Sequence, residues 1–224
     1  WSWDAAREGT FECEPGTLGP GKIEAIRRIG VTRLSLGIEN FDDGLLELNG
    51  RAHRSGEIYR AYERARHEAF EQINVDLIAG MMGETEANWQ RNIERVLELR
   101  PDSVTIYQME IPYNTTIYKE MEAAGRAEAP IADWATKRRW VKEGFAALES
   151  AGYHVGSGYT AVLRPERTRF LYRDALWSGA DLLGLGVASF SHAAGVHYQN
   201  LTEIGPYSEA IRRGELPLNR AYRT

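Results

Sequence analysis

Apolar residues fall along this chain in two rhythms, short runs of strand length and longer stretches that repeat at helical spacing. The run Ile73-Asn74-Val75-Asp76-Leu77-Ile78-Ala79-Gly80 is apolar apart from one amide and one carboxylate. Strands of this composition are buried on both faces of parallel sheets, where an ionised carboxylate costs several kcal/mol unless a partner or ligand compensates it. Asp76 therefore requires a partner. Thr10-Phe11-Glu12-Cys13-Glu14, Arg33-Leu34-Ser35-Leu36-Gly37-Ile38-Glu39 and Ser103-Val104-Thr105-Ile106-Tyr107-Gln108-Met109-Glu110 also read as strands that carry or end on carboxylates.

Helical spacing fills the gaps between these strands. Ile23, Ile26 and Ile29 follow the Gly19-Pro20 turn at i, i+3, i+6 and stop at Gly30. Ile58, Tyr62 and Ala65 mark a second stretch, and Trp89, Ile93, Val96 and Leu97 a third that opens on Thr85 as N-cap with Glu86 behind it. Repeats of roughly thirty residues in strand-helix order imply a parallel sheet with right-handed crossovers, either doubly wound or closed as a barrel. Polar residues at the strand C-termini of such folds gather at one mouth, where ligands bind. The carboxylates are expected to converge there.

Composition narrows the class. The chain has 224 residues, 43% hydrophobic and 26% charged, enough for a substantial core. No apolar run reaches the roughly twenty residues that span a bilayer, and no signal-peptide pattern opens the chain, so a cytoplasmic placement is expected. A net charge of −5 and a pI near 5.7 argue against a nucleic-acid binder held by phosphate contacts. Lys137, Arg138 and Arg139 read as the solvated face of a helix from about Asp133 to Ser150. The single cysteine, Cys13, excludes an internal disulfide and a multi-cysteine metal centre, and reads as a packed thiol facing away from Glu12 and Glu14. Trp1 at the start and Arg223-Thr224 at the end suggest a piece of a longer protein.

Six motifs now carry a resemblance. Phe11-Glu12-Cys13-Glu14-Pro15-Gly16-Thr17, Val31 through Phe41, Leu48-Asn49-Gly50-Arg51-Ala52-His53, Asn74 through Gly80, Pro101 through Gln108 and Asp181 through Ser191 resemble, in order and spacing, the oxygen-independent coproporphyrinogen III oxidase family of radical SAM proteins. The resemblance implies an α/β fold, a partial (β/α)6-type radical SAM barrel from the third strand onward over residues 1–182, and a post-barrel extension over 183–224 beside the mouth. It implies S-adenosylmethionine as cofactor and a [4Fe–4S] cluster held by cysteines upstream of this chain, with no metal ligand here and no activity from this part alone.

By motif position, Glu12 would contact S-adenosylmethionine with Phe190 as an apolar neighbour, while Glu39, Arg51, Asp76 and Glu110 lie where the family binds a second molecule. Catalytic residues are not identified. Arg51 is suited to pair with a carboxylate, either of the ligand or of Asp76. The family usually has Gln where this chain has Glu39, which adds charge to the site.

The implied activity cleaves S-adenosylmethionine to a 5′-deoxyadenosyl radical that abstracts a substrate hydrogen, after which a propionate of coproporphyrinogen III loses carbon dioxide. The implied partners are a tetrapyrrole substrate and an electron donor such as a flavodoxin or ferredoxin. A haem-binding chaperone and a radical SAM methyltransferase on the same barrel are the alternatives. His192 and His197, five apart, fit no usual zinc spacing and read as loop residues. Gly184-Leu185-Gly186 reads as tight strand-end packing. Tyr107, Tyr113, Tyr153, Tyr159 and Tyr172 read mainly as core, with a cavity lining as the alternative.

Overall fold

The computed structural model describes residues 5–111 and 131–223, together with positions 119 and 123. These residues form two compact units that part at Arg169/Phe170. The 182/183 boundary expected from sequence falls inside the second unit, where Leu182 pairs with His192.

The first unit is an α/β unit built on a six-stranded sheet in the order β1-β2-β3-β4-β6-β5. Strands β1 (Thr10–Cys13), β2 (Arg33–Glu39), β3 (Gln72–Ala79) and β4 (Ser103–Gln108) are the four read from sequence, and they run parallel. Helices α1 (Pro20–Arg28), α2 (Asp43–Leu48), α3 (Ser55–His67), α4 (Glu86–Leu99) and α5 (Trp134–Ser150) lie between and after them. Side chains satisfy the helix N-termini where sequence chemistry allows: Leu45 N donates to Asp42 at 3.0 Å, Asn88 N to Thr85 at 3.3 Å and Thr136 N to Asp133 at 2.7 Å.

The sheet departs from the all-parallel expectation at one edge. There β6 (Thr160–Val162) pairs antiparallel with β4, and β5 (His154–Val155) pairs antiparallel with β6. Strands of two and three residues show no readable period, so this hairpin left no pattern in the sequence.

Side-chain alternation gives the two sheet faces opposite character. Leu34, Leu36, Ile38, Ile73, Val75, Leu77, Val104 and Ile106 share one face and enter the hydrophobic core with Ile23, Ile58, Trp89 and Val96 of the helices. The other face carries the polar positions. Glu12, Ser35, Asn74 and Ser103 are register partners in one row, and Gly37, Asp76 and Thr105 stand two residues farther on in the next. The run around Asp76 is thus largely buried, with Ile78 half-buried, and is divided by face into an apolar side and a polar side.

Helix α5 corrects one expectation. Lys137 is not on a solvated face: it is buried, its Nζ donates to Met109 O at 2.8 Å, and it stands 3.6 Å from the centre of the Trp134 ring. Its stem fills the space that Gly80, with φ +90, leaves for want of a side chain. Arg139 does face outward, with Glu86 at 2.7 Å.

The second unit holds α6 (Leu171–Trp177), α7 (Ile204–Arg212) and an antiparallel meander of β7 (Phe190–Ala193), β8 (Val196–Asn200) and β9 (Leu218–Arg223). Gly184 is required by packing here, since a Cβ at that position would meet Phe190 O at 2.2 Å. Asn200 fixes the same turn through its Nδ2, which donates to Gly184 O at 3.1 Å and Gly186 O at 2.9 Å. Among the described residues no helix is long and apolar enough to cross a membrane.

Candidate functional site

Where β1, β2 and β3 end, the polar sheet face opens into a cavity of about 560 Å³. Its walls include Glu12, Glu14, Glu39 and Asp76, the aliphatic Ile78, Tyr107, and the loop Gly50-Arg51-Ala52. Four of the six residues singled out from sequence, Glu12, Glu39, Arg51 and Asp76, therefore share one cavity. Glu110 lies beyond β4, is exposed, and is not among the residues lining it. Phe190 belongs to the second unit, half exposed on β7.

Asp76 is held by hydrogen bonds and not by Arg51. Ser35 Oγ donates to Asp76 Oδ2 and Asn74 Nδ2 to Asp76 Oδ1, each at 2.9 Å. Asn74 is itself fixed, because Ser103 Oγ and Thr105 Oγ1 donate to its Oδ1 at 2.7 and 3.2 Å. Burial still dominates, pushing the Asp76 carboxyl up to about 6; the Ser35 bond and the positive charge of Arg33 work against the shift, while Glu12 adds to it. Such a group accepts a cationic partner readily, since the ligand charge relieves the penalty that burial imposes.

Glu39 is aimed by a break in the strand. The β2–β3 register shifts between Gly37 and Glu39, and Glu39 adopts φ 67, a left-handed conformation costly for a residue with a Cβ. A Cβ on Gly37 would stand 3.1 Å from Glu39 Oε1, so Gly37 leaves room for the carboxylate. Arg51 Nη1 lies 3.6 Å from Glu39 Oε1, and this is the ion pair that Arg51 makes. The Glu39 carboxyl is raised above its usual value by burial, with the Arg51 charge opposing and Asp76 adding.

Neighbouring networks fix the cavity walls. Buried His53 bridges two elements, with Nε2 3.0 Å from Ile38 O and Nδ1 3.2 Å from Glu14 Oε1. Asn49 Nδ2 donates to Leu45 O and Met82 O, and Met82 N donates back to its Oδ1, which ties the loop bearing Arg51 to the segment after β3. Glu84 accepts from Gly80 N at 2.6 Å, Met81 N at 3.2 Å, Asn40 Nδ2 at 3.1 Å and Asn92 Nδ2 at 3.3 Å. Burial nonetheless pushes its carboxyl up to about 7.

Sequence reasoning passed over Ser35, Asn74, Ser103, Thr105, His53 and Glu84. The signal for the first four was the i, i+2 spacing with Asp76 and its strand neighbours, which places all of them on one face. Of the five tyrosines, Tyr107 lines the cavity with its ring centre 6.1 Å from that of Tyr159, whereas Tyr153 is buried and donates to Pro101 O. Tyr172 is exposed in the second unit, and Tyr113 lies outside the described residues.

The donor set suits one implied cofactor and not the other. S-adenosylmethionine offers an ammonium, a sulfonium and ribose hydroxyls, which match four carboxylates around a cavity where Gly50 leaves open space beside the backbone. A cluster finds no ligand set, because Cys13 is the single cysteine, is buried, and is pushed up to about 12 by burial and the Glu12 charge. Among the described residues no group of three or more His, Cys, Asp and Glu could hold a metal ion.

Residues 6–96 match the family model described as Radical SAM superfamily. The chain is 26% identical over 212 residues to the "Heme chaperone HemW" of Bacillus subtilis, covering 94% of this chain and 54% of that protein. It is equally 26% identical over 223 residues to the "Oxygen-independent coproporphyrinogen III oxidase" of Escherichia coli, covering 94% of this chain and 48% of that one. The chain thus spans about half the length of the curated relatives it matches. The solved coproporphyrinogen III oxidase of Escherichia coli, titled a radical SAM enzyme, superposes with a TM-score of 0.80 at 23% identity over 97% of this chain and 51% of that one. That likeness establishes the fold.

Proposed function

We propose, for a chain that carries a radical SAM domain and counts oxygen-independent coproporphyrinogen III oxidases among its relatives, that the carboxylate-lined cavity binds S-adenosylmethionine. One observation carries this reading: Glu12, Glu39 and Asp76 come from three successive parallel strands and meet at one mouth with Arg51. Three acids brought so close repel one another, and a cationic ligand resolves that conflict. In this reading Asp76 and Glu39 take the cationic and hydroxyl groups of the ligand, Arg51 orients Glu39 and can also meet the ligand carboxylate, and Ile78 with Tyr107 screens the site from water. The bound cofactor supplies the radical chemistry when it meets a reduced cluster from outside this chain.

The whole protein is then an enzyme of tetrapyrrole metabolism, acting in the cytoplasm on a porphyrinogen with an electron donor such as a flavodoxin or ferredoxin. A second reading has its own support, because the haem chaperone relative matches over the same share of this chain at the same identity. Anaerobic incubation of the cluster-loaded protein with methyl-labelled S-adenosylmethionine, reductant and coproporphyrinogen III, with products read by mass, and a parallel titration with haem separate the readings. Product lacking two carboxyl groups supports the oxidase. Tight haem binding with no change in porphyrinogen mass supports the chaperone, and incorporation of a methyl label points to a methyltransferase.

A further inference from the structure

The two histidines that fit no sequence spacing are brought together by the meander of the second unit. Their five-residue separation is the length of a tight hairpin, and His192 on β7 stands directly opposite His197 on β8. His192 N donates to Leu182 O at 2.9 Å and His192 O accepts from Leu182 N at 2.7 Å, so both its backbone groups face away from β8. The 192/197 pair is therefore of the non-hydrogen-bonded kind, in which opposed side chains approach most closely. The two imidazoles meet edge to face with centroids 6.2 Å apart, and both residues are half-buried.

The same row continues to β9. Tyr222 is the register partner of His197, and its hydroxyl hydrogen-bonds His197 Nδ1. That contact orients the His197 ring and commits Nδ1, so Nε2 is the His197 nitrogen that a ligand would use. Metal-binding imidazoles are commonly oriented in this way by a partner on the second ring nitrogen. The Phe190 ring, 5.8 Å from that of His197, shields one side of the pair. The nearby cation, Arg220, is turned onto Phe190 and donates to Gln199 Oε1 at 2.9 Å.

We infer that His192 and His197 form a two-imidazole chelating site for a divalent d-block cation, with water completing the coordination. Imidazole pairs select zinc, nickel and copper over magnesium and calcium, which prefer oxygen. Two metal–nitrogen bonds of about 2.0–2.1 Å bridge nitrogens some 3–4 Å apart, a separation that rings with centroids 6.2 Å apart can present. The site lies wholly within the second unit and uses none of the cavity residues.

Zinc chloride alone, titrated into the cluster-loaded protein, whose cluster cysteines are occupied, against a chromophoric chelator, tests the site, with histidine ring proton resonances followed in parallel. One saturable zinc is expected, shifting the resonances of His192 and His197. His192→Gln and His197→Gln should each weaken binding at least tenfold, and Tyr222→Phe, which keeps the ring and removes the hydroxyl, should weaken it by about tenfold as expected for an orienting partner. Unchanged thermal melting of the three variants shows that the meander is intact. Absence of saturable binding overturns the inference, as does zinc binding that survives in both glutamine variants with the resonances of His67 or His154 shifting instead.

Discussion

The Arg51 guanidinium lies 3.6 Å from the Glu39 carboxylate, at the rim of a cavity that also receives Glu12 and Asp76. Arg51 is more than one-third exposed, so the pair adds little to stability, about 0–1 kcal/mol. Its consequence is positional: Glu39 sits on a left-handed backbone at φ 67, and such strain is found where geometry serves a ligand. Glu39→Gly should therefore relax the backbone and raise stability by up to about 1 kcal/mol while lowering affinity for S-adenosylmethionine. Denaturant melts and ligand titration on the same sample check both halves.

Glu39→Gln separates ligands. An amide keeps the size of the side chain but gives up the charge, a difference of roughly 1.5–3 kcal/mol for a hydrogen bond to a cationic group. Affinity for S-adenosylmethionine should fall more than affinity for a porphyrinogen, whose propionates would be repelled by Glu39. The reverse order in paired binding measurements would favour the chaperone or methyltransferase reading.

Asp76 predicts a pH dependence with a definite sign. Its folded value, about 6, lies above the ordinary 3.8, so the native state holds this proton more tightly than the unfolded chain does. The stability it contributes is fully present below about pH 4 and is lost as pH rises to about 6, by up to about 3 kcal/mol. Asp76→Asn should flatten that slope and leave stability at pH 8 within about 1 kcal/mol of wild type, since Ser35 and Asn74 can bond an amide. Affinity for a cationic ligand should rise through the same pH range in wild type and not in the variant.

Glu84 behaves differently because its neighbours cannot turn. Asn40 Oδ1 accepts from Asp42 N and Asn92 Oδ1 from Phe41 N, so both amides are fixed with their nitrogens toward Glu84. Glu84→Gln sets an amide nitrogen against two donors or against the Gly80 and Met81 N–H groups. A loss of about 1–3 kcal/mol in chemical denaturation is expected.

Cys13 should be inert. Its thiol is buried and pushed up to about 12, so thiol reagents at pH 8 should modify it only after unfolding. Iron and sulfide reconstitution of the 224-residue chain should give no [4Fe–4S] absorbance, as one cysteine cannot hold such a cluster.

The parallel strands and helices α1, α3, α4 and α5 were legible because their apolar residues keep a period over many turns or a whole strand. The edge hairpin was not, since two- and three-residue strands have no period to show. Asp76, Glu12 and Glu39 stood out as charges in apolar runs, whereas Ser35, Asn74, Ser103 and Thr105 looked like ordinary strand residues until alternation placed them on one face. The partner of Arg51 was illegible for another reason: the register shift at Gly37/Glu39 re-aims a side chain, and no repeat rule anticipates a bulge. His192 and His197 failed a test built for helices and metal loops, and only strand pairing brought them together.

The most direct test of the central claim is calorimetric titration of S-adenosylmethionine into the anaerobic, cluster-loaded protein and into its Glu12→Gln, Glu39→Gln and Asp76→Asn variants, each shown by thermal melting to be folded. Binding at one or more sites in wild type, weakened at least tenfold by Asp76→Asn and reduced by the other two, is the predicted result. Wild-type affinity retained by all three folded variants would contradict the assignment of the cavity to this ligand.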